Sequence, residues 1–231
     1  MREEFKNSHL WSKRFLPHYD ASFKFQMITY RLADSLPQDL LQLLGTPQPS
    51  ADRESDELQK RKIIEETLDK GFGSCILQEP SVAQVVVDNW IFYNGKRYDL
   101  IAYVVMPNHV HVLIKTYQEW SIGKIVWAWK SLVTKYVNSE VDLKNRFLNS
   151  IAQFQANNFQ IKTSSKMQKF IKTDSKNKSF SIWQREYWDR FIRDENHFEK
   201  AVKYIHKNPV KAGLIKSSQD WLWSSAREQK E

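Results

Sequence analysis

From Phe23 to Leu32 (FKFQMITYRL) successive positions alternate faces. Phe23, Phe25, Met27, Thr29 and Arg31 lie on one face, with Lys24, Gln26, Ile28 and Tyr30 on the other, which predicts a strand. Asp34 or Ser35 is placed to cap a short helix over Pro37 to Leu44, and residues 45–53 read as a loop from their Gly and Pro content. Glu54 to Lys70 reads as a charged helix ended by Gly71 and Gly73. Glu79 to Tyr93 reads as another, with Val82, Val85, Val86 and Trp90 at helical spacing. Asn94-Gly95 marks a turn, Tyr98 to Met106 a largely buried strand, Pro107-Asn108 a tight turn and His109 to Lys115 the second strand of a hairpin. Ser121 caps a helix to about Asn138, its inner face formed by Ile122, Ile125, Trp129, Leu132, Val133 and Tyr136. Trp188 to Arg193 suits a strand. Asp194 caps a helix from Glu195 to about Lys207, where Asn208-Pro209 is expected to stop it.

The order β-α-β-β-α-β predicts an α+β fold: a ferredoxin-like sandwich with an antiparallel sheet, extra helices before the hairpin, and a C-terminal helix carrying Tyr204. Residues 1–20 read as an N-terminal arm and 21–226 as one domain. Between Lys162 and Lys178 there are six lysines and one acid, Asp174, so about 140–180 reads as a lysine-rich insertion, partly ordered at best and dispensable for the fold.

At 231 residues and 41% apolar composition the chain can bury one core. Its net charge of +8 and pI near 9.4 point to a polyanionic partner, of which nucleic acid is the commonest. The single cysteine, Cys75, excludes a disulfide within the chain and fits a cytoplasmic setting. It reads as a small buried residue. No run approaches the roughly 18 apolar residues of a membrane span, and the opening MREEFKNSHLWSKRF is expected not to be a signal peptide.

Two segments carry candidate chemistry. In MPNHVHV, His109 and His111 point the same way from a strand, with Val110, Val112 and Ile114 on the other face. Two imidazoles on a rigid strand are half of a divalent metal site, although His-x-His alone is a weak signal that more often marks a solvated strand face. In FEKAVKYIHKNPVKAG, Phe198, Ala201, Val202 and Ile205 form one helical stripe, and His197, Tyr204 and Asn208 run beside it. Tyr204 and Asn208 are at i and i+4. Read alone, Tyr204 fits a core-edge position, and His206 is expected at the surface.

MPNHVHVL and YIHKNPVKAGL together resemble the HUH endonuclease superfamily, and most closely its single-tyrosine, REP-associated tyrosine transposases. Residues 31–37 (RLADSLP), 183–187 (WQREY), 189–194 (DRFIRD) and 220–225 (DWLWSS) add to the likeness, which covers about 22–139 and 181–226. The resemblance implies a nucleophilic tyrosine at Tyr204 and metal ligands at His109, His111 and Asn208, holding Mg²⁺ or Mn²⁺. It also implies cleavage and rejoining of single-stranded DNA through a 5′-phosphotyrosine. Cations and an aromatic placed to hold DNA are Lys115, Lys130, Arg185, Arg190, Arg193 and Lys211, with Trp188 or Trp127 for stacking. The expected partner is single-stranded DNA, hairpin-flanked, acted on by a monomer or homodimer. A replication-type nickase with the same site, and a non-catalytic or domesticated nucleic-acid binder on the same fold, stand as alternatives.

Overall fold

The computed structural model describes residues 11–13, 17–19, 23–37, 39–41, 53–156 and 180–229. Strands β1 (Trp11–Lys13) and β2 (Pro17–Tyr19) pair in a small ribbon within the expected arm. The main sheet comprises β3 (Phe25–Arg31), β4 (Tyr98–Val105), β5 (His109–Thr116) and β6 (Trp188–Phe191), in the order β4-β5-β3-β6 with all neighbours antiparallel. Helices α2 (Pro80–Tyr93) and α3 (Ile122–Ser139) provide the two crossovers. This is the ferredoxin-like arrangement expected from the element order.

Strand alternation divides the core in two. Ile28, Tyr30, Val110, Val112 and Ile114 face α2 and α3, where Tyr98, Trp90 and Trp129 are buried. The Trp129 indole donates to the Tyr98 hydroxyl (2.9 Å), which donates to the Trp90 carbonyl (2.8 Å), so Trp129 and Tyr98 are buried with their polar ends satisfied. The opposite face holds Ala102, Val104, Leu113 and the histidines. Helix α5 (Glu195–Lys211) covers it through Ala201 and Ile205, flanked by Phe198 and Val202 as the apolar stripe predicts. Helix α1 (Arg53–Leu68) sits beside α5, anchored by Ile64 and Leu68 against Leu36 and Trp188.

Four local expectations are corrected. Leu132 is 47% exposed, and Val126 and Val137 take its place on the inner face of α3. Asp34 does not cap a helix. Its carboxylate accepts from the Ser74 backbone N–H (2.7 Å) and the Ser150 hydroxyl (2.8 Å), tying two distant segments together. The helix expected over Pro37 to Leu44 falls partly outside the described residues. Cys75 is only half-buried, with its thiol pushed up chiefly by desolvation. Helix α5 does not stop at Asn208-Pro209 but runs to Lys211, and Gly213, at φ +72°, follows its end. A proline there removes one hydrogen bond, to the Ile205 carbonyl. Burial of Ile205, Asn208 and Pro209 against the sheet offsets that loss so near the helix end.

The reading of 140–180 is also corrected in part. Residues Val141–Ala156 form helix α4. Phe147 is fully buried and stacks on Phe180 (5.5 Å, 14°), while Arg146 pairs with Glu79 and donates to the Ser74 carbonyl. The composition average hid this helix because one aromatic supplies most of its burial. The lysine-rich stretch 162–178 lies outside the described residues. Phe147→Ala is expected to cost about 3–5 kcal/mol of stability, the usual range for a fully buried Phe. Urea unfolding monitored by tryptophan fluorescence checks this, and a loss below about 1 kcal/mol would return α4 to the status of an appendage.

Candidate functional site

Three strands and two helices deliver the site. On β5 the two imidazoles stand side by side, ring centroids 4.9 Å apart, and both are 1% exposed. The Asn108 amide donates from Nδ2 to the Phe72 carbonyl (3.0 Å), which fixes its oxygen toward His109 Nδ1 (2.8 Å). An amide oxygen only accepts, so His109 carries its proton on Nδ1 and presents the Nε2 lone pair. Thr29 lies opposite His111 in the β3–β5 register, and its hydroxyl bonds His111 Nδ1 at 2.7 Å. Such outer partners set tautomer and ring orientation in metal-ligating histidines. Burial holds both imidazoles neutral, as ligation requires. His109 is lowered to about 3 by desolvation first and the Lys211 and Arg31 charges second. His111 is lowered by the same burial and by His109.

Helix α5 brings Tyr204 against His111, ring centroids 5.2 Å apart. Asn208, one turn on and 1% exposed, interacts with both His109 and Tyr204. Yet neither amide atom of Asn208, nor Nε2 of His111, has a hydrogen-bond partner of normal geometry among the described residues. Unpaired buried polar atoms are costly, and two of these, His111 Nε2 and Asn208 Oδ1, offer lone pairs, from β5 and α5. That is the fit expected of a cation-binding place built from two imidazoles and an amide oxygen. No cluster of three or more His, Cys, Asp or Glu side chains able to hold a metal occurs among the described residues.

The sequence did not single out Glu65 and Asp69, which α1 brings to the Tyr204 hydroxyl. Burial, these two carboxylates and a hydrogen bond to Glu65 push the phenol above its usual value, and Asn208 acts the other way. Glu65 is itself raised by desolvation, and Lys211 and Arg190 oppose that rise. The available signal was Ile64 and Leu68 at i, i+4: they mark the buried face of α1, and Glu65 and Asp69 flank it. Beside Tyr204 lies a cleft of about 320 Å³ between α1, β6 and α5, lined by Arg61, Glu65, Trp188, Arg190, His197 and Lys200 among others.

The candidate DNA-holding residues divide. Arg190 and Trp188 line the cleft, with the Trp188 ring also packing under α1. Lys211 pairs with Asp69 at 3.0 Å, 6.0 Å from the Tyr204 ring centroid. Lys115 lies over Phe25, and Arg185 and Arg193 are exposed outside the cleft. Lys130 is corrected. Its ammonium donates to the carbonyls of Gln184, Arg185 and Glu186 (2.9–3.3 Å), burial lowers it to about 7, and it serves the fold. Trp127 is 71% exposed on α3, the helix packed on the opposite face of the sheet from the histidines. His206 is buried, not at the surface, with Nε2 bonded to the Ser225 hydroxyl (2.9 Å). That serine also accepts from the Tyr103 N–H, so His206 ties α5 to the tail that covers edge strand β4.

A family model described as "Transposase IS200 like" matches residues 90–173. The match takes in His109 and His111 and ends before Tyr204. A putative REP-associated tyrosine transposase of Haemophilus influenzae is 25% identical over 128 residues, 55% of this chain and 58% of that protein. The resemblance to the REP-associated tyrosine transposases holds. A REP-associated tyrosine transposase of Escherichia coli is 40% identical over 45 residues, 20% of this chain and 27% of its own length. The chain thus aligns with little over half of the first curated relative and about a quarter of the second. A solved REP-associated tyrosine transposase bound to a REP hairpin covers 94% of this chain and 84% of its own at 16% identity and TM-score 0.43, a likeness too low to bear on function. No helix among the described residues is long and apolar enough to cross a membrane.

Proposed function

We propose that this chain cleaves and rejoins single-stranded DNA as a tyrosine strand-transferase, with Tyr204 as nucleophile. The observation that carries the reading is the convergence of Tyr204, Asn208, His109 and His111 from β5 and α5, with the lone pairs of His111 Nε2 and Asn208 Oδ1 buried and unpaired. His109, His111 and Asn208 would hold Mg²⁺ or Mn²⁺, which when bound supplies Lewis acidity at a phosphate oxygen. Tyr204 attacks phosphorus from the α5 side and keeps the 5′ phosphate, freeing a 3′ hydroxyl that can later reseal a strand. Arg61, Arg190 and Lys200 give the cleft the charge to draw in a phosphate backbone, and unpaired bases can stack on the free part of Trp188.

The alternative of a non-catalytic binder that stacks bases on an open sheet face is less well supported, because helices cover both faces. Incubation with hairpin-flanked single-stranded oligonucleotides and Mn²⁺ should give a covalent adduct that survives a denaturing gel. Binding should fall by about tenfold or more between 50 and 200 mM salt, as several phosphate contacts require. Salt-insensitive binding to blunt duplex with no adduct would reject the reading.

A further inference from the structure

Helix α1 reaches the reacting hydroxyl through a residue outside every motif. Ile64 and Leu68 fix the helix against Leu36 and Trp188, and Asp69 pairs with Lys211 of α5 at 3.0 Å. Between these anchors Glu65 borders the same cleft as Tyr204, close enough for its charge to act on the Tyr204 hydroxyl. An ionised carboxylate there can only accept, and the Tyr204 hydroxyl is the group that can donate to it. We infer that Glu65 is the general base for Tyr204, taking the phenol proton as the oxygen attacks and returning it when the strand is resealed. The inference rests on the strand-transfer reading above.

The surroundings favour transfer concerted with attack. A carboxylate on the cleft wall beside Tyr204 can take the phenol proton as the new bond forms, so no free tyrosinate is needed. Desolvation makes Glu65 a better proton acceptor than a surface carboxylate. The groups that face it are Tyr204 and Lys211 from α5, Arg190 from β6 and Asp69 at the end of its own helix. Arg61, His197 and Lys200 line the same cleft. In the step, the Tyr204 O–H bond breaks toward Glu65 and an oxygen–phosphorus bond forms. The bond from phosphorus to the 3′ oxygen breaks with its electron pair, and that oxygen takes a proton from water. In resealing, the 3′ hydroxyl gives its proton to water and attacks phosphorus, the bond from phosphorus to the phenol oxygen breaks with its electron pair, and protonated Glu65 supplies that oxygen with a proton.

The test compares wild type, Glu65→Gln, Glu65→Asp and Glu66→Gln, the last an exposed neighbour outside the site. Each is incubated with a hairpin-flanked single-stranded oligonucleotide and Mn²⁺. Glu65→Gln keeps a hydrogen-bond acceptor but cannot take a proton. It should slow adduct formation by about 100-fold or more, at unchanged oligonucleotide affinity. Its rate should lose the rise with pH that marks ionisation of a carboxylate in wild type. Glu65→Asp should keep that rise at a lower rate, and Glu66→Gln should match wild type. Resealing of the isolated adduct must slow by the same factor as cleavage, since both cross one transition state. Glu65→Gln rates within about threefold of wild type, a loss confined to affinity, or slowed cleavage with normal resealing would overturn the inference. So would unfolding of both Glu65 variants, which would mark the residue as structural. If wild type gives no adduct, the strand-transfer reading falls and this one with it. An adduct in wild type with no effect at Glu65 defeats this inference alone.

Discussion

Tyr204→Phe should abolish the covalent adduct while leaving oligonucleotide and Mn²⁺ binding intact. The substitution removes one oxygen and keeps the ring that packs on His111, so the fold and the imidazole pair are undisturbed. Asn208 and Glu65 lose one interaction each, and Glu65 borders the cleft, where water can replace it. Oligonucleotides labelled at one end or the other read the outcome. With wild type a 3′-end label should travel with the protein on a denaturing gel, and a 5′-end label should leave on a fragment that a polymerase extends. With Tyr204→Phe neither label should be retained. A 5′ label on the wild-type protein, or an adduct surviving in the variant, would reject the mechanism.

The second large effect is expected at the histidine pair. Removing both ligands forfeits several kcal/mol of charge stabilisation in the transition state, so His109→Ala/His111→Ala should lower cleavage by about a thousandfold or more. Binding of Mn²⁺, followed by the loss of its free-ion resonance signal, should weaken in parallel and gives a readout independent of cleavage. The double variant should remain folded, because Val110, Val112 and Ile114 on the other face of β5 keep their packing. Val110→Asp provides the contrast: it buries an unpaired charge in the α2–α3 core and should unfold the chain. Metal-dependent cleavage retained by the double variant would remove the histidines from the mechanism.

How far these residues could be read from the sequence depends on the range of the signal. The hairpin, the shared face of His109 and His111 and the stripe of α5 follow from periods of 2 and 3.6 within single segments. So does the placement of Tyr204 one turn from Asn208. The errors are tertiary in origin. The expected break at Asn208-Pro209 followed a local preference that burial of the helix end overrides. His206 looked exposed because its partner, Ser225, lies 19 residues on, in a tail with no periodicity. Lys130 looked like a DNA contact because nothing local shows that three carbonyls await it. Glu65 was invisible for the same reason. Its meaning comes only from the packing of α1 against α5.

The loop at 71–75 bears on how this protein could be altered. At Gly73, φ is +90° and an added Cβ would lie 2.4 Å from the Asp34 carbonyl oxygen, so no other side chain fits without moving backbone. The preceding residue, Phe72, offers the carbonyl that orients the Asn108 amide, and that amide selects the tautomer of His109. The face of a ring nitrogen is thereby governed from a glycine in another loop. An engineer seeking to tune the strength of DNA binding could vary Arg61 and Lys200 at the cleft wall. The 71–75 loop, which touches no DNA in this scheme, would have to be kept unchanged along with the histidines themselves.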